Sequence, residues 1–187
     1  KKWSASEAQK EATKKAKEKE KKEEEASKAA EKADKLKKAK AELENASSYL
    51  DVAKENYKGA NEVYSDIKSL ANSAKNASTE AYNNASKGIP KAKSESTINS
   101  LIKDMKNAKS KNDQVIASNM DKWKEAIEKQ CNDAIEYINA ALKYSTDKTI
   151  KTEAATLKKN AEGYKSKIQS IMDDLEKLIS SAKDRNS

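Results

Sequence analysis

The sequence contains no histidine and no phenylalanine, one cysteine, one proline and three glycines in 187 residues. Each scarcity excludes something. Without histidine there is no imidazole base, no Ser-His or Cys-His nucleophile pair and no imidazole metal ligand. The lone Cys131 cannot close an internal disulfide or build a zinc site, and in its apolar stretch it reads as a small buried hydrophobe. Three glycines are too few for a phosphate-cradling loop, and neither GxGxxG nor GxxxxGK[ST] occurs. Rare Gly and Pro also remove most of the turn punctuation that a β protein needs. No apolar run reaches the roughly 18 residues of a membrane span. Carboxylate clusters such as Asp173 and Asp174, or Glu23, Glu24 and Glu25, sit off the apolar seams and read as solvated helix face. No catalytic, cofactor-binding or metal-binding residue is therefore expected, and the chain does not read as an enzyme.

The net charge is +8, yet Arg185 is the only arginine, so lysine carries the positive balance. Arginine reads guanine edges and grips phosphate bidentately. Its near absence argues against a specific nucleic-acid reader. The lysines imply a solvated surface with weak, salt-sensitive attraction to polyanions.

What the chain does have is helical periodicity. Leu36, Leu43, Leu50, Tyr57, Tyr64 and Ala71 form one heptad column; Ala39, Ala46, Ala53, Ala60, Ile67, Ala74 and Ala81 form the other. Low hydrophobicity with net positive charge also marks disordered chains, but the unbroken phase argues against disorder from Leu36 onward. Gly59 falls off both columns and is expected on the exposed face. Upstream, residues 1–35 form a Lys/Glu/Ala block with Glu11→Lys15, Glu18→Lys22, Glu24→Lys28 and Glu31→Lys35 at i,i+4. Each such pair contributes about 0.2–0.5 kcal/mol. This block reads as a charged helical or fraying extension of the next helix.

Lys87, Gly88, Ile89 and Pro90 are the clearest break, with Gly88 suited to a left-handed cap and Ser94 or Ser96 to an N-cap. A second run spans 97–144. Its Met105, Ile116, Ile127 and Ile138 recur every eleven residues, which predicts one straight helix. Asn112 and Asn119 lie near its stripe and read as loosely packed or wet positions, with fixing of register as the alternative. After a short turn at Ser145, Thr146 and Asp147, a third run spans 148–183. Ile150, Leu157, Tyr164, Ile171 and Leu178 face one way there, beside Ala154, Ala161, Ile168, Leu175 and Ala182. Short turns between long helices force antiparallel neighbours. The fold expected is all-α: an elongated antiparallel bundle of three long helices (36–86, 97–144 and 148–183) with coiled-coil-like seams. A break near residues 45–48 would make four.

Aromatic residues are the best candidates for contact. Tyr57, Tyr64 and Tyr164 lie on seams and read as core. Trp123 is on the stripe of the second helix and reads first as packing inside; Tyr137 and Tyr144, seven apart on one helix, are with it the candidate partner-binding residues, because Tyr and Trp anchor interfaces more than most residues do.

The chain opens on Lys1, Lys2 and Trp3, residues that commonly flank a membrane span at headgroup level. With the Lys/Glu/Ala start, the Asn- and Ser-rich helices and the missing His, this layout resembles the helical surface antigens of AT-rich bacteria. In particular it looks like the immunodominant membrane proteins of phytoplasmas. That resemblance implies a removed N-terminal anchor and an extracellular, hydrophilic domain. It also implies a protein partner on the host side, of cytoskeletal type, with no residue roles carried over. A secreted form is the alternative location. The type VII secretion hairpins are a second family to weigh, but Trp3-Ser-Ala and Trp123-Lys-Glu lack the Trp-x-Gly turn, and no Tyr is followed four residues later by Asp or Glu. The expected function is noncatalytic binding of a host or partner protein. The alternative is a coiled-coil spacer or secretion-system partner subunit that self-associates.

Overall fold

Residues 5–187 are described by a computed structural model; the Lys1, Lys2 and Trp3 stub lies outside them. Four α-helices follow one another: α1, Ala5–Gly88; α2, Glu95–Ile116; α3, Asp121–Tyr144; and α4, Lys148–Asn186, with a 3-10 turn at Ile89–Lys91 after α1. α1 is 84 residues long, which at 1.5 Å per residue is about 126 Å. α2 and α3 run back along it in succession, and α4 returns beside them. The cross-section is thus three helices thick, as the seams predict. No break occurs near residues 45–48, because the heptad phase passes through them on α1.

The seams fill as the columns require. Ala39, Leu43, Ala46, Leu50, Ala53, Ala60 and Tyr64 of α1 are buried against Ile127, Cys131, Ala134 and Ile138 of α3 and Ile150, Ala154, Ala161, Ile168 and Leu175 of α4. Alanines on α1 let the axes approach closely, and the branched residues of α3 and α4 supply the volume. Further along, Ala71 and Ala74 meet Val115 of α2 and Ala182 of α4 in a smaller cluster.

The predicted single helix over 97–144 is interrupted at residues 117–120, and this corrects the eleven-residue reading. Asn119 causes the restart: its Oδ1 accepts from the Asp121 N–H at 2.8 Å, satisfying a donor of the first turn of α3. The Ser118 N–H closes back on the Val115 carbonyl at 3.0 Å. Ile127 and Ile138 are fully buried, but Met105, in the same repeat on α2, is 45% exposed.

The other helix ends follow the sequence signals. Ser94 caps α2, accepting from the Thr97 N–H at 3.3 Å. Asp147 caps α4, accepting from the Thr149 N–H at 3.0 Å. Gly88 differs from expectation, since its φ of −86° and ψ of −35° are right-handed. A Cβ there would sit 2.9 Å from Leu101 Cδ1, so the leucine tip would have to shift to admit one. Gly59 is also corrected: it faces Trp123 rather than solvent.

In the N-terminal part of α1, two of the four expected ion pairs are closed among the described residues, Glu24–Lys28 at 2.7 Å and Glu31–Lys35 at 2.9 Å. Lys28, Lys32 and Lys35 reach the Tyr144–Asp147 turn, so the body of the bundle begins before residue 36. The stretch 9–27 is exposed throughout.

Candidate functional site

α3 carries all three sequence-predicted contact residues but does not gather them. Trp123 and Tyr137 are fourteen positions apart, about 21 Å along the axis. Trp123 is half-buried, packed on the main core with its ring over Gly59. Tyr137 is half-buried and stacked on Tyr49, ring centroids 5.4 Å apart. Tyr144 alone is well exposed, at 40%, with Lys38 Nζ 6.0 Å from its ring centre. An open face presenting Tyr137 and Tyr144 together is therefore not what the packing produces, because Tyr49 of α1 already covers Tyr137.

The seam tyrosines are where the columns put them. Tyr64 is buried, and Tyr57 and Tyr164 pack together with centroids 6.1 Å apart. Cys131 is fully buried, and that burial pushes its thiol up to about 11.

A different site emerges at the far end of the molecule. α4 stops beside the C-terminal end of α2: Asn186 Nδ2 donates to Asp113 Oδ1 at 2.8 Å, and Arg185 Nε donates to Asn112 Oδ1 at 2.7 Å. From Asn112 back to Glu95 the α1–α2 hairpin runs on without α4, for about 26 Å. The third slot of the bundle is unfilled there. Apolar residues of the α2 stripe consequently come to the surface, with Met105 45% and Ile102 39% exposed, beside Tyr82 of α1, an off-seam residue 71% exposed. They line a groove of about 590 Å³ together with Ala108, Asn112 and Arg185.

The inner end of this groove is polar and tightly organised. Asn112 is only 1% exposed, and it joins three helices. Its Oδ1 accepts from Arg185 of α4, and its Nδ2 donates to Ser78 Oγ of α1 at 2.8 Å. Ser78 Oγ donates in turn to the Ala74 carbonyl at 2.8 Å. The wet position expected at Asn112 is thus a satisfied buried crosslink. Arg185 is less complete, because its Nη2 is buried and has no hydrogen-bond partner. The carboxylate nearby is committed elsewhere, Asp113 Oδ2 to Lys109 at 3.3 Å and Oδ1 to Asn186. Sequence reasoning missed this cluster, although the single arginine of the chain was a signal in plain view. No known protein family, curated protein or solved structure matches this chain.

Proposed function

We propose that the chain is a noncatalytic binding domain of the surface-antigen type, displayed outside a bacterial cell, that holds a partner protein in the groove at the α1–α2 end. One observation carries this reading: Tyr82, Ile102 and Met105 are exposed together where α4 stops, next to the only guanidinium of the chain. Clustered exposed apolar side chains on an otherwise lysine-rich surface mark interaction sites, and aromatic residues and arginine dominate binding energy at such sites. The missing imidazole and scarce glycine support the noncatalytic part. The display outside the cell rests on the resemblance of layout and composition. Among the described residues no helix is long and apolar enough to cross a membrane.

The test is retention of host-extract proteins by the immobilised chain, compared with Ile102→Glu/Met105→Glu, at about 0.15 M and about 0.5 M salt, which screen charge to different depths. A protein held at both salts by the native chain and released by the double variant is the expected result. Equal retention by the variant, or loss of all retention at the higher salt, would overturn the reading in favour of lysine stickiness.

A second reading has its own observation. The exposed stretch of α1 over 9–27 is polar all round, a pattern typical of helices that bridge through solvent. A spacer or self-associating rod follows from it. Mass that rises with concentration in sedimentation equilibrium, and falls when this stretch is removed, would favour that reading.

A further inference from the structure

We infer that the groove recognises a carboxylate placed beside an aliphatic side chain, with the Arg185 guanidinium holding the carboxylate and Ile102, Met105 and Tyr82 holding the aliphatic part. A leucine at a free C-terminus presents that pair of groups. The inference rests on the reading of the groove as the binding surface, and it names the chemistry of the partner segment.

Two independent features converge on it. The first is charge. Arg185 is held in place through Nε by Asn112, and its Nη2 is buried without an acceptor. Nη2 is shut off from solvent, so a carboxylate in the groove meets the guanidinium on the part of Arg185 that lines it, and a carboxylate is the acceptor that matches a guanidinium. Asp113, the carboxylate closest in sequence to Asn112, already serves Lys109 and Asn186. Lys106 lines the same groove and adds a positive charge beside Arg185, while Lys109 there is already paired with Asp113. The second feature is apolar surface. Ile102 and Met105 are one helical turn apart on α2 and face Tyr82 across the groove. Their spacing from the guanidinium follows the α2 axis, with Met105 seven positions before Asn112, about 10 Å. A leucine held by its carboxylate extends its side chain from the guanidinium toward Met105, and the partner's preceding residue continues the contact to Ile102.

The asymmetry between the ends of the groove sets the orientation. Arg185 sits where α4 ends, and Tyr82 and Ile102 lie toward the open hairpin tip. The carboxylate therefore enters toward α4, and the rest of the partner chain leaves past the tip. This direction avoids α4, which blocks the other exit.

The experiment exploits the single arginine. In the full chain labelled with 15N and with methionine 13C-methyl groups, Arg185 gives the one arginine Nε–Hε signal, and the methyls are those of three methionines. Three probes are titrated: N-acetyl-leucine, with both groups; N-acetyl-leucinamide, without the carboxylate; and acetate, without the aliphatic chain. The expected result is saturable movement of both the Arg185 and Met105 signals with N-acetyl-leucine, at a dissociation constant of about 1 mM for a ligand this small. The amide binds roughly tenfold more weakly, as loss of one charge-assisted hydrogen bond implies. Acetate leaves Met105 unmoved. In Arg185→Gln, N-acetyl-leucine falls to the level of the amide, while the amide itself binds as before.

Equal binding of acid and amide, with Met105 moving and Arg185 still, overturns the carboxylate assignment and leaves the groove as an apolar binding surface. Movement of Arg185 by acetate as strongly as by N-acetyl-leucine overturns the aliphatic half. No movement with any probe, together with a host protein still released by Ile102→Glu/Met105→Glu, overturns this inference while the groove reading stands. If retention is also unaffected by that double variant, both fall.

Discussion

Trp123 and Gly59 form a matched pair that neither heptad column announces. A Cβ at residue 59 would lie 2.7 Å from Trp123 Cη2 and 2.8 Å from Cζ3, so Gly59→Ala forces the ring outward. The helix-propensity gain of about 1 kcal/mol from replacing glycine is then outweighed by overpacking, which costs about 1–3 kcal/mol. The expected outcome is a lower urea midpoint for Gly59→Ala, with Trp123 emission shifted to the red in a Trp3→Phe background. In Trp123→Leu the clash is gone and the same glycine substitution should stabilise. A reversal of sign between the two backgrounds is the check. Cys131 gives a second prediction at this scale. Burial raises its thiol from 9.0 to about 11, so between those values the folded chain keeps a proton that the unfolded chain releases. Stability is full below pH 9 and declines as pH rises toward 11. Cys131→Ala should remove that part of the decline, seen as the difference between the two proteins' urea midpoints across the window. A difference that does not vary with pH would show that the thiol is not held protonated by the fold.

At the level of the helices, the ends were legible and the interruption was not. Ser94 and Asp147 carry oxygens that satisfy orphan amide groups, a local matter readable from residue type. The interruption at 117–120 was hidden because Ile116, Met120 and Trp123 continue an apolar stripe through it. The sign was Asn119 two residues ahead of Asp121, an Asx oxygen that competes with the helix for the backbone. The crosslink through Asn112 likewise depends on partners from α1 and α4 that sequence spacing cannot supply. Asn112→Ala leaves Ser78 with one fewer partner and Arg185 Nε without its acceptor, both in part-buried surroundings. A loss of about 1–3 kcal/mol is expected from chemical denaturation. Asn112→Ala combined with Arg185→Met should cost less than the two single changes added together, since the stranded guanidinium is gone. Strict additivity would mean that the pair does not interact.

The whole molecule is a three-helix body with a helix running past it at one end and a two-helix tip at the other. Residues 9–27 of α1 are exposed throughout, and their i,i+4 pairs are worth only tenths of a kcal/mol each. Removing residues 1–27 should lower helical ellipticity in proportion to the turns removed. The thermal midpoint of the body should stay within about 2 °C, the shift that less than 1 kcal/mol produces in a domain this size. A larger drop would show that the projecting turns pack on something in solution, and self-association would be the first explanation to examine. The opposite end behaves differently, because there the uncovered surface is apolar and next to a charge. The two ends thus assign the two functional readings, spacer and binding domain, to separate parts of one rod.

Residue order alone determined the class, the columns and the antiparallel course. Heptad spacing on α1 and α4 places Leu43, Leu50, Ile150, Ile168 and Leu175 on one side of a helix, and a hydrophobic stripe must find another stripe. Relative axial position was decided only in three dimensions. How far α4 reaches along α2 depends on which turns of three helices interlock, a sum over contacts that no local pattern encodes. That reach brings Arg185 to Asn112 and leaves Ile102 and Met105 uncovered beside Tyr82, while the axial fit of α3 on α1 sets Trp123 on Gly59. The candidate site is a product of where one helix stops against two others, and for that reason it was invisible in a list of residues.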